Sequence, residues 1–251
     1  MGTPHYVMSL ELQRGEVADL DRYPYNIPAL RELEHLEFHP RCNFFIGENG
    51  SGKSTLLEAL AVKLDFNAEG GTKNMRFATR ESHSDLHEHL RVARNVQHRP
   101  MDGFFFRAES FFNVATHIEE LDEEPGGPQI IWSYGNRSLH EQSHGESFLA
   151  LMTHRVDGHG VYLLDEPEAA LSPQRQLAIL SRIHDVITDH SQFFIATHSP
   201  ILLAYPDAWI FEFSESGIQR VEYRDTEHYQ VTQSFLDNPD RMLDILLGRL
   251  L

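Results

Sequence analysis

A glycine-rich segment between an apolar run and an amphipathic run constrains this chain most. Residues Gly47 to Ser54 read GENGSGKS, which matches the pattern G-x-x-x-x-G-K-[ST]. Leu36 to Ile46 ends in the apolar run FFI and predicts a strand, and Lys53 to Leu64 carries leucines at helical spacing. Glycines let backbone N–H groups turn toward phosphate oxygens, and a helix N-terminus favours negative charge. The pattern therefore predicts a strand, a phosphate-binding loop and a helix in direct succession.

This loop supplies the groups that a nucleoside triphosphate requires. We expect the nucleotide to contact the loop and the first turn of its helix, residues Gly47, Glu48, Asn49, Gly50, Ser51, Gly52, Lys53, Ser54 and Thr55. Lys53 would bring a full positive charge to the β and γ phosphates. The Ser54 hydroxyl is an oxygen ligand of the kind that Mg²⁺ takes. The loop therefore predicts ATP and Mg²⁺ as the bound groups.

Two further apolar runs end in polar side chains. Val161 to Pro167 reads VYLLDEP, which places Asp165 at the carboxyl end of a strand, where it can hold Mg²⁺. Glu166 follows directly and is the predicted base that orients and deprotonates the attacking water. Ile195 to Pro200 reads IATHSP at the end of the next strand, and His198 is predicted to donate a hydrogen bond at the γ-phosphate.

The order of these elements predicts an α/β fold. Apolar strands separated by helices indicate a mostly parallel sheet covered by helices on both faces. A strand is expected at Val7 to Leu12, and a long amphipathic helix from Pro173 to about Asp189. The runs Trp209 to Phe213 and Ile218 to Tyr223 predict an antiparallel hairpin.

The middle of the chain is less regular. We expect 1–66 and 156–251 to form a nucleotide-binding core and 67–155 to form an inserted helical lobe, all within a single domain. A polar helix is predicted near Ser84 to Val96, and another helix from about Glu146 to His154. The apolar spacing from Met242 to Leu251 predicts a short helix, docked on the domain as the favoured interpretation and bound to a partner as the alternative.

Together these motifs resemble the ABC ATPase superfamily, and most closely its non-transporter branch of bacterial ATPases related to RecF and the SMC proteins. The resemblance spans about Leu36 to Pro200 and implies a P-loop ATPase fold of the ABC type that hydrolyses ATP. In this family a Leu-Ser-Gly-Gly-Gln/Glu signature opens a helix before the Asp-Glu strand, and QSHGE stands there in this chain. Gln142 replaces the leucine, and a histidine replaces the first glycine. The signature residues would be Ser143, His144, Gly145 and Glu146.

The resemblance implies that the signature caps the γ-phosphate held by a second subunit, so that a head-to-tail homodimer completes each site. It also implies a D-loop at Ala170 to Pro173, where Ser172 stands in place of the usual aspartate. The Q-loop should follow an aromatic strand, and Glu109 in FFFRAES is its candidate; a plain acidic residue at a helix start is the alternative. Tyr23 and Tyr25 are candidates for stacking on adenine or for packing against the sheet.

Charge and composition limit the partners of the chain. Its 251 residues carry 21 Lys and Arg against 38 Asp and Glu, a formal charge of −17. This balance does not favour direct nucleic-acid binding, which needs clustered cations to neutralise phosphates. Arg91, Arg94 and Arg99 form a modest basic cluster, interpreted as a solvated helix face. No apolar run is long enough to cross a bilayer, so membrane insertion is not expected.

The cysteine and the histidines outside these motifs predict no further catalytic or metal site. The single cysteine, Cys42, lies beside an apolar strand and is expected to be a small core residue in a protein of the reducing cytoplasm. His83, His87 and His89 include a pair at helical spacing that could hold a metal, but no further ligand accompanies them at a recognisable spacing.

The function predicted from the sequence is a soluble ATPase that acts as a conformational switch through its ATP-sandwiched homodimer. Two alternatives stay open at this point. One is the energising subunit of an ABC transporter with a separate membrane partner. The other is a non-hydrolysing ATP-dependent regulatory module in DNA maintenance or phage defence, and an unidentified protein partner is compatible with each of these functions.

Overall fold

The computed structural model describes residues 5–73, 75, 84–123 and 129–249, and within these residues nine strands form two sheets. Their bounds are β1 Val7–Leu12, β2 His35–Glu37, β3 Cys42–Gly47, β4 Leu90–Arg94, β5 Asp102–Arg107, β6 Gly160–Asp165, β7 Gln192–Ala196, β8 Trp209–Ser214 and β9 Gly217–Val221. The larger sheet has the order β5-β6-β7-β3-β8-β9. All of its neighbours are parallel except the β8–β9 hairpin. The smaller sheet, β2-β1-β4, is antiparallel.

Helices connect and cover the strands. Their bounds in the described chain are α1 Pro28–Arg31, α2 Lys53–Lys63, α3 Phe111–Glu123, α4 His144–Ala150, α5 Pro173–Thr188, α6 Pro200–Leu203, α7 Glu227–Asp237 and α8 Pro239–Leu246. One turn of π-helix, Leu151–Arg155, continues α4. The predicted α/β class, the hairpin and the long helix after Pro173 are confirmed.

The larger sheet is buried on both faces, because its central strands place successive side chains in two different cores. Phe44 and Phe45 of β3 are both fully buried, yet Phe44 packs in the cluster beneath α3 and α5, whereas Phe45 packs in the cluster that contains α2 and β1. Leu164 and Leu163 of β6 divide in the same way. This division explains why these strands read as continuous apolar runs and not as alternating ones.

A buried glutamine joins the smaller sheet to the larger one. The Gln192 side chain at the start of β7 accepts a hydrogen bond from the Val7 backbone N–H at 2.9 Å and donates to the Val7 carbonyl at 2.9 Å. It also donates to the carbonyl of His39. These contacts satisfy a fully buried amide. They also fix β1 beside the strand that leads to the histidine motif.

The interpretation of the middle segment needs two corrections. The polar helix predicted near Ser84 to Val96 is wrong, because a single 3₁₀ turn at Asp85–His89 is followed by strand β4. Pairing with β1, in which Leu12 faces Leu90, stabilises the extended form of this polar segment. The exposed Arg91 and Arg94 therefore lie on an edge strand and not on a helix, and charges of this kind discourage strand addition.

The strand predicted over Leu36 to Ile46 is two strands, β2 and β3, which belong to different sheets. β5 is the aromatic strand expected before the Q-loop candidate, and β4 is a further strand within 67–155, so that segment is not purely helical. β5 pairs with β6 at the edge of the larger sheet. The division into a core and an inserted lobe stays a prediction.

The C-terminal part of the described chain departs from the expectation of a docked tail. α8 begins before Met242, at Pro239, and none of its described residues is buried. Leu243, Ile245 and Leu246 are 40%, 58% and 71% exposed. The helix is confirmed and its docking is wrong, because α8 contacts chiefly the equally exposed α7.

Candidate functional site

The glycine-rich loop connects β3 to α2, as predicted. Gly47 and Gly52 have φ values of +137° and +100°, in the region that favours glycine. A Cβ on Gly47 would overlap the carbonyl oxygen of Phe213, and one on Gly52 would lie 3.2 Å from side-chain carbons of Ile27 and Leu30. The loop therefore excludes side chains at both positions, and its exit is packed firmly against α1.

Lys53 begins α2 and reaches back over the loop. Its Nζ donates to the carbonyl oxygens of Gly47 and Glu48, both at 2.8 Å. Burial lowers the pKa of Lys53, and the carboxylates of Glu166 and Asp165 oppose that shift. Two carbonyl acceptors and two nearby carboxylates keep the ammonium group charged and held at the loop, where it can exchange a carbonyl for a phosphate oxygen.

Ser54 and Asp165 meet at the carboxyl end of the sheet. The Ser54 hydroxyl donates to Oδ1 of Asp165 at 2.8 Å. Arg107, at the end of β5, lies beside the same carboxylate, with its Nε 3.6 Å from Oδ2, and its Nη1 is 2.5 Å from Oε2 of Glu58. Burial raises the pKa of Asp165 to about 6, although the Ser54 hydroxyl and Arg107 act in the opposite direction. The carboxylate is thus almost buried and is held by a hydroxyl and a guanidinium group.

Glu166 has an unusual backbone conformation. Its φ and ψ are +51° and +52°, the left-handed region that a non-glycine residue rarely occupies. The backbone N–H of Glu166 donates to the carbonyl of Ala196 at 2.9 Å, which fixes this turn against β7. Its side chain is 45% exposed and faces the cavity beside the loop. The turn therefore directs the carboxylate away from the sheet, as a base acting on water requires.

His198 lies opposite Glu166, with its Nε2 4.0 Å from Oε1 of Glu166. Its backbone N–H donates to Oε1 of Glu168 at 2.6 Å. Burial lowers the pKa of His198, the charge of Lys53 lowers it further, and Glu166 opposes these effects. Burial raises the pKa of Glu168. Glu168 thus anchors the loop that carries His198 through the His198 backbone.

Many of the predicted residues line one cavity of about 590 Å³, whereas Gly47, Glu48 and Ser51 line a neighbouring cavity and Asp165 is buried. The residues that line the first cavity are Tyr23, Ile27, Asn49, Gly50, Gly52, Lys53, Ser54, Thr55, Glu109, Glu166 and His198. Glu109 is therefore at the site, and its role as the Q-loop residue stays a prediction. Tyr23 is 62% exposed at the cavity and its hydroxyl lies 3.3 Å from Oγ1 of Thr55, whereas Tyr25 is fully buried. Tyr25 therefore packs in the core, whereas stacking of Tyr23 on adenine stays a prediction.

The signature and D-loop candidates pack against each other. Ser143 caps α4 in a reciprocal capping box with Glu146, and its hydroxyl donates to Oε2 of Glu146 at 2.8 Å. A Cβ on Gly145 would lie 2.5 Å from the carbonyl of Ala170. Ser172 caps α5. The lining residues of the cavity described above do not include Ser143, His144, Gly145 or Glu146, so their action in trans stays a prediction.

Three residues of the site were not identified from the sequence. Arg107 and Glu168 contact Asp165 and the His198 backbone, respectively. His228 of α7 lies 3.3 Å from His198. The sequence offers a weak signal for Arg107 and Glu168, because each lies at or shortly after the end of an apolar strand. It offers none for His228, which is brought in by a helix 30 residues further along.

The remaining sequence candidates add no site within the described residues. Cys42 is fully buried and its pKa is raised by burial, in agreement with a core role. His83 lies outside the described residues. Nδ1 of His89 lies 2.7 Å from the Tyr25 hydroxyl, and Nδ1 of His87 lies 3.1 Å from the Ser84 carbonyl. The described part of the chain contains no cluster of three metal-ligating side chains.

None of the described helices combines the length and the apolar character that a membrane crossing needs.

The donor set at Ser54 and Asp165 fits Mg²⁺. The hydroxyl and the carboxylate are hard oxygen ligands, already 2.8 Å apart beside Lys53. Mg²⁺ ordinarily takes one or two such protein ligands and completes its shell with water and phosphate oxygens. The site therefore has the composition of a Mg²⁺–nucleotide site and not of a closed all-protein cage.

Comparison with known proteins agrees with this site. A family model described as "AAA domain" matches residues 25–124, and a second, described as "AAA domain, putative AbiEii toxin, Type IV TA system", matches residues 133–204. The DNA replication and repair protein RecF of Colwellia psychrerythraea is 72% identical over 36 residues. That match covers 14% of this chain and only 9% of the RecF protein.

A longer match is to a protein of Caldanaerobacter subterraneus named "Putative ABC transporter ATP-binding protein", which is 28% identical over 190 residues and covers 70% of this chain and 77% of that protein. Among solved structures, cbiO1 of Clostridium perfringens superimposes with a TM-score of 0.49 at 18% identity, over 96% of this chain and 99% of that one. The SMC head domain of Thermotoga maritima gives a TM-score of 0.45 at 16% identity, over 86% of this chain and 99% of that one.

The two family models cover both halves of the site: the first contains the phosphate loop, and the second contains Asp165, Glu166 and His198. The geometry brings these two halves into one cavity. The chain is therefore an ATPase domain of the AAA/ABC type.

Proposed function

We propose that this ATPase works as a nucleotide-driven switch in which two copies close head to tail around ATP. The observation that carries this proposal is the position of Glu166 and His198 opposite the glycine-rich loop in one open cavity, which the signature residues Ser143 to Glu146 do not line. Phosphoryl transfer needs charge neutralisation on all sides of the γ-phosphate. A second subunit would supply the missing side.

Each residue has a defined task in this proposal. The loop amides and Lys53 would hold the triphosphate, and Ser54 and Asp165 would hold Mg²⁺, which would neutralise charge on the β and γ phosphates. Glu166 orients the water and accepts its proton. His198 donates from its ring to a γ-phosphate oxygen. Positioning and charge account for the catalysis, because the reaction needs little covalent help from the protein.

The Ser143 hydroxyl is engaged with Glu146 in the single chain. In the closed dimer we expect it to turn toward the γ-phosphate of the partner while the N-terminus of α4 directs its backbone N–H groups to the same place. Glu146 would stay at the helix start, where it pairs with Arg175 at 3.7 Å.

Glu166→Gln tests the catalytic part of the proposal. The variant should bind ATP with Mg²⁺ as wild type does, form a dimer in sedimentation, and lose phosphate release by about three orders of magnitude. Glu34→Gln, an exposed glutamate away from the cavity, is the control and should behave as wild type. Unchanged turnover of Glu166→Gln would refute the assigned base.

Mixing two inactive variants tests whether the site is composite. Lys53→Ala lacks the phosphate contact but keeps its signature, and Ser143→Asp keeps the helix cap but repels the γ-phosphate. Each variant alone should be inactive. An equal mixture should recover about a quarter of wild-type activity, because half of the dimers are mixed and each mixed dimer has one intact site. A mixture that stays inactive, although both variants fold, would contradict the head-to-tail arrangement.

Phosphate release and co-purification distinguish the alternatives raised by the sequence. A non-hydrolysing module would dimerise with ATP and release no phosphate as wild type. A transporter subunit would purify with an integral membrane protein from its native cells. Cytoplasmic location stays a prediction that fractionation would test. Direct nucleic-acid binding, which the acidic charge does not favour, would be tested by turnover with added DNA.

A further inference from the structure

A second histidine contacts His198 from the side away from Glu166. Nε2 of His228 lies 3.3 Å from Nδ1 of His198, and the two ring centroids are 5.5 Å apart with planes inclined by 37°. His198 lines the cavity beside Lys53, and it also lines a neighbouring cavity of about 630 Å³ to which His228 contributes. The three side chains Glu166, His198 and His228 therefore form a row that crosses from the phosphate site to α7.

The fold holds His228 at this position through the residues that begin α7. Thr226, which is buried, caps α7 by accepting from the backbone N–H of Tyr229 at 3.2 Å, and its hydroxyl donates to the Tyr223 carbonyl at 2.7 Å. The Tyr223 hydroxyl in turn donates to the carbonyl of Pro200, two residues after His198, at 2.9 Å. The first turn of α7 is thus attached to the same loop that carries His198, so the distance between the two rings is structurally fixed.

Both rings favour the neutral form. Burial lowers the pKa of His198, and Lys53 lowers it further. Burial also lowers the pKa of His228, with the neighbouring His198 as the next cause. A hydrogen bond between two neutral imidazoles needs one donor and one acceptor nitrogen, so the proton of one ring decides the tautomer of the other. Within the described residues, Nε2 of His198 and Nδ1 of His228 are buried and have no hydrogen-bond partner.

Only one of the two arrangements suits an anion at the phosphate site. If His228 donates from Nε2 to Nδ1 of His198, then His198 carries its proton on Nε2, the nitrogen on the side of Glu166. If His198 donates instead, its Nε2 presents a lone pair toward Glu166 and the phosphate oxygens, which is repulsive. A bound triphosphate therefore favours the first arrangement.

We propose that His228 is a positioning residue for ATP hydrolysis: it donates to Nδ1 of His198 and so holds the His198 tautomer whose Nε2–H points toward the γ-phosphate. The proposal rests on the proposed role of His198 at that phosphate. His228 itself acts through His198, and the reaction consumes no proton from it.

Two substitutions of similar size separate a hydrogen-bond role from a packing role. The amide nitrogen of glutamine reaches the position of Nε2 of a histidine, so His228→Gln keeps a donor toward His198. The amide of asparagine is shorter and reaches only the position of Nδ1, so His228→Asn removes the donor. Gln233→Ala, an exposed position on the same helix, is the matched control.

We expect His228→Asn to lower kcat about ten-fold with the KM for ATP changed by less than about two-fold, because the loop and Lys53 still hold the triphosphate. His228→Gln should recover most of kcat, and Gln233→Ala should match wild type. Equal losses in the asparagine and glutamine variants, or kcat of the asparagine variant within about two-fold of wild type, would overturn the proposal.

A direct measurement uses ¹⁵N-labelled histidine in the full chain, with Mg²⁺ and the non-hydrolysable analogue adenylyl imidodiphosphate. The ring-nitrogen shifts of His198 should show a proton on Nε2 in wild type and in His228→Gln, and a mixture of tautomers in His228→Asn. A proton on Nδ1 of His198 in the wild-type complex would overturn the proposal, even if every variant at position 228 failed to fold.

This design also separates the inference from the proposed function. If wild type hydrolyses ATP but the 228 variants neither change kcat nor change the tautomer, the positioning role is wrong and the ATPase assignment stands. If wild type binds the analogue but releases no phosphate from ATP, the proposed hydrolysis is wrong, and the ring-nitrogen shifts still decide which nitrogen of His198 carries the proton.

Discussion

The Ser54 hydroxyl lies 2.8 Å from Oδ1 of Asp165, so the first turn of α2 is joined to the end of β6 across 111 residues of sequence. The fold therefore holds the two oxygen ligands predicted for Mg²⁺ side by side. Pre-organisation of this kind reduces the entropic cost of binding. It also makes the site sensitive to small changes at either residue.

Asp165→Asn should separate nucleotide binding from its dependence on Mg²⁺. Asparagine keeps an oxygen that accepts from Ser54 but removes the charge that attracts the cation. We expect the affinity for ATP with Mg²⁺ to fall at least about ten-fold, whereas the affinity for ATP without Mg²⁺ should change little. Calorimetric titration in both conditions measures the difference, with the exposed Asp240→Asn as control. Equal affinity of wild type and Asp165→Asn for ATP with Mg²⁺ would exclude Asp165 as a ligand.

Arg107 should stabilise the fold through Glu58. The two side chains are only 19% and 12% exposed, and Nη1 lies 2.5 Å from Oε2. Arg107→Met leaves a buried carboxylate without its partner and should lower the free energy of unfolding by about 3 kcal/mol. Adding Glu58→Gln should restore part of that loss, because the unpaired charge is then removed. Arg31→Met breaks an exposed pair with Asp21 and should cost less than about 1 kcal/mol in the same urea titration. Equal costs for the two arginines would contradict this assignment.

The close contact between α4 and the segment after β6 leaves no room for a side chain at Gly145. A Cβ there would lie 2.5 Å from the Ala170 carbonyl and 2.9 Å from Nη1 of Arg175. Gly145→Ala should therefore lower the free energy of unfolding by about 1–3 kcal/mol and displace the D-loop candidate. Gly15→Ala is the control, because no atom lies within 4 Å of its added Cβ. A Gly145→Ala variant as stable as wild type would show that the segment moves freely.

Glu168 should make stability depend on pH. Burial raises its pKa, so the folded protein favours the protonated carboxyl more than the unfolded chain does. Its contribution to stability is present below the ordinary pKa of 4.5 and is lost as the pH rises through the raised value. Glu168→Gln imitates the protonated form and should raise the midpoint of thermal unfolding by about 2–4 °C at pH 7.5.

The difference between Glu168→Gln and wild type should shrink as the pH falls to about 4, where both side chains are neutral. Glu34→Gln, the same substitution at an exposed position, is the control in the same unfolding measurements. A Glu168→Gln protein less stable than wild type at pH 7.5 would mean that the fold stabilises the carboxylate, which contradicts a raised pKa for Glu168.

Local patterns in the sequence determined the phosphate loop and both polar strand ends. Gly47 to Ser54 is recognisable because glycine, lysine and serine each meet a local need, and the apolar runs before Asp165 and His198 are long enough to identify buried strands. The carboxyl ends of parallel strands meet at one sheet edge, so the convergence of these residues followed from the fold class. The helix predicted at Ser84 to Val96 was wrong because pairing with β1 outweighs a weak local preference for helix.

The sequence by itself determined which residue types the motifs bring: glycines and a lysine in the loop, oxygen-bearing side chains at Ser54 and Asp165, a carboxylate at Glu166 and a histidine at position 198. Their predicted roles follow from those residue types. Only the tertiary structure decided which distant groups surround these residues, namely Arg107 beside Asp165, Glu168 behind His198, and His228 against its ring. The physical reason is that a motif records what adjacent residues do for one another. Contacts between side chains from separate elements depend on how those elements pack, which no short pattern in the sequence contains.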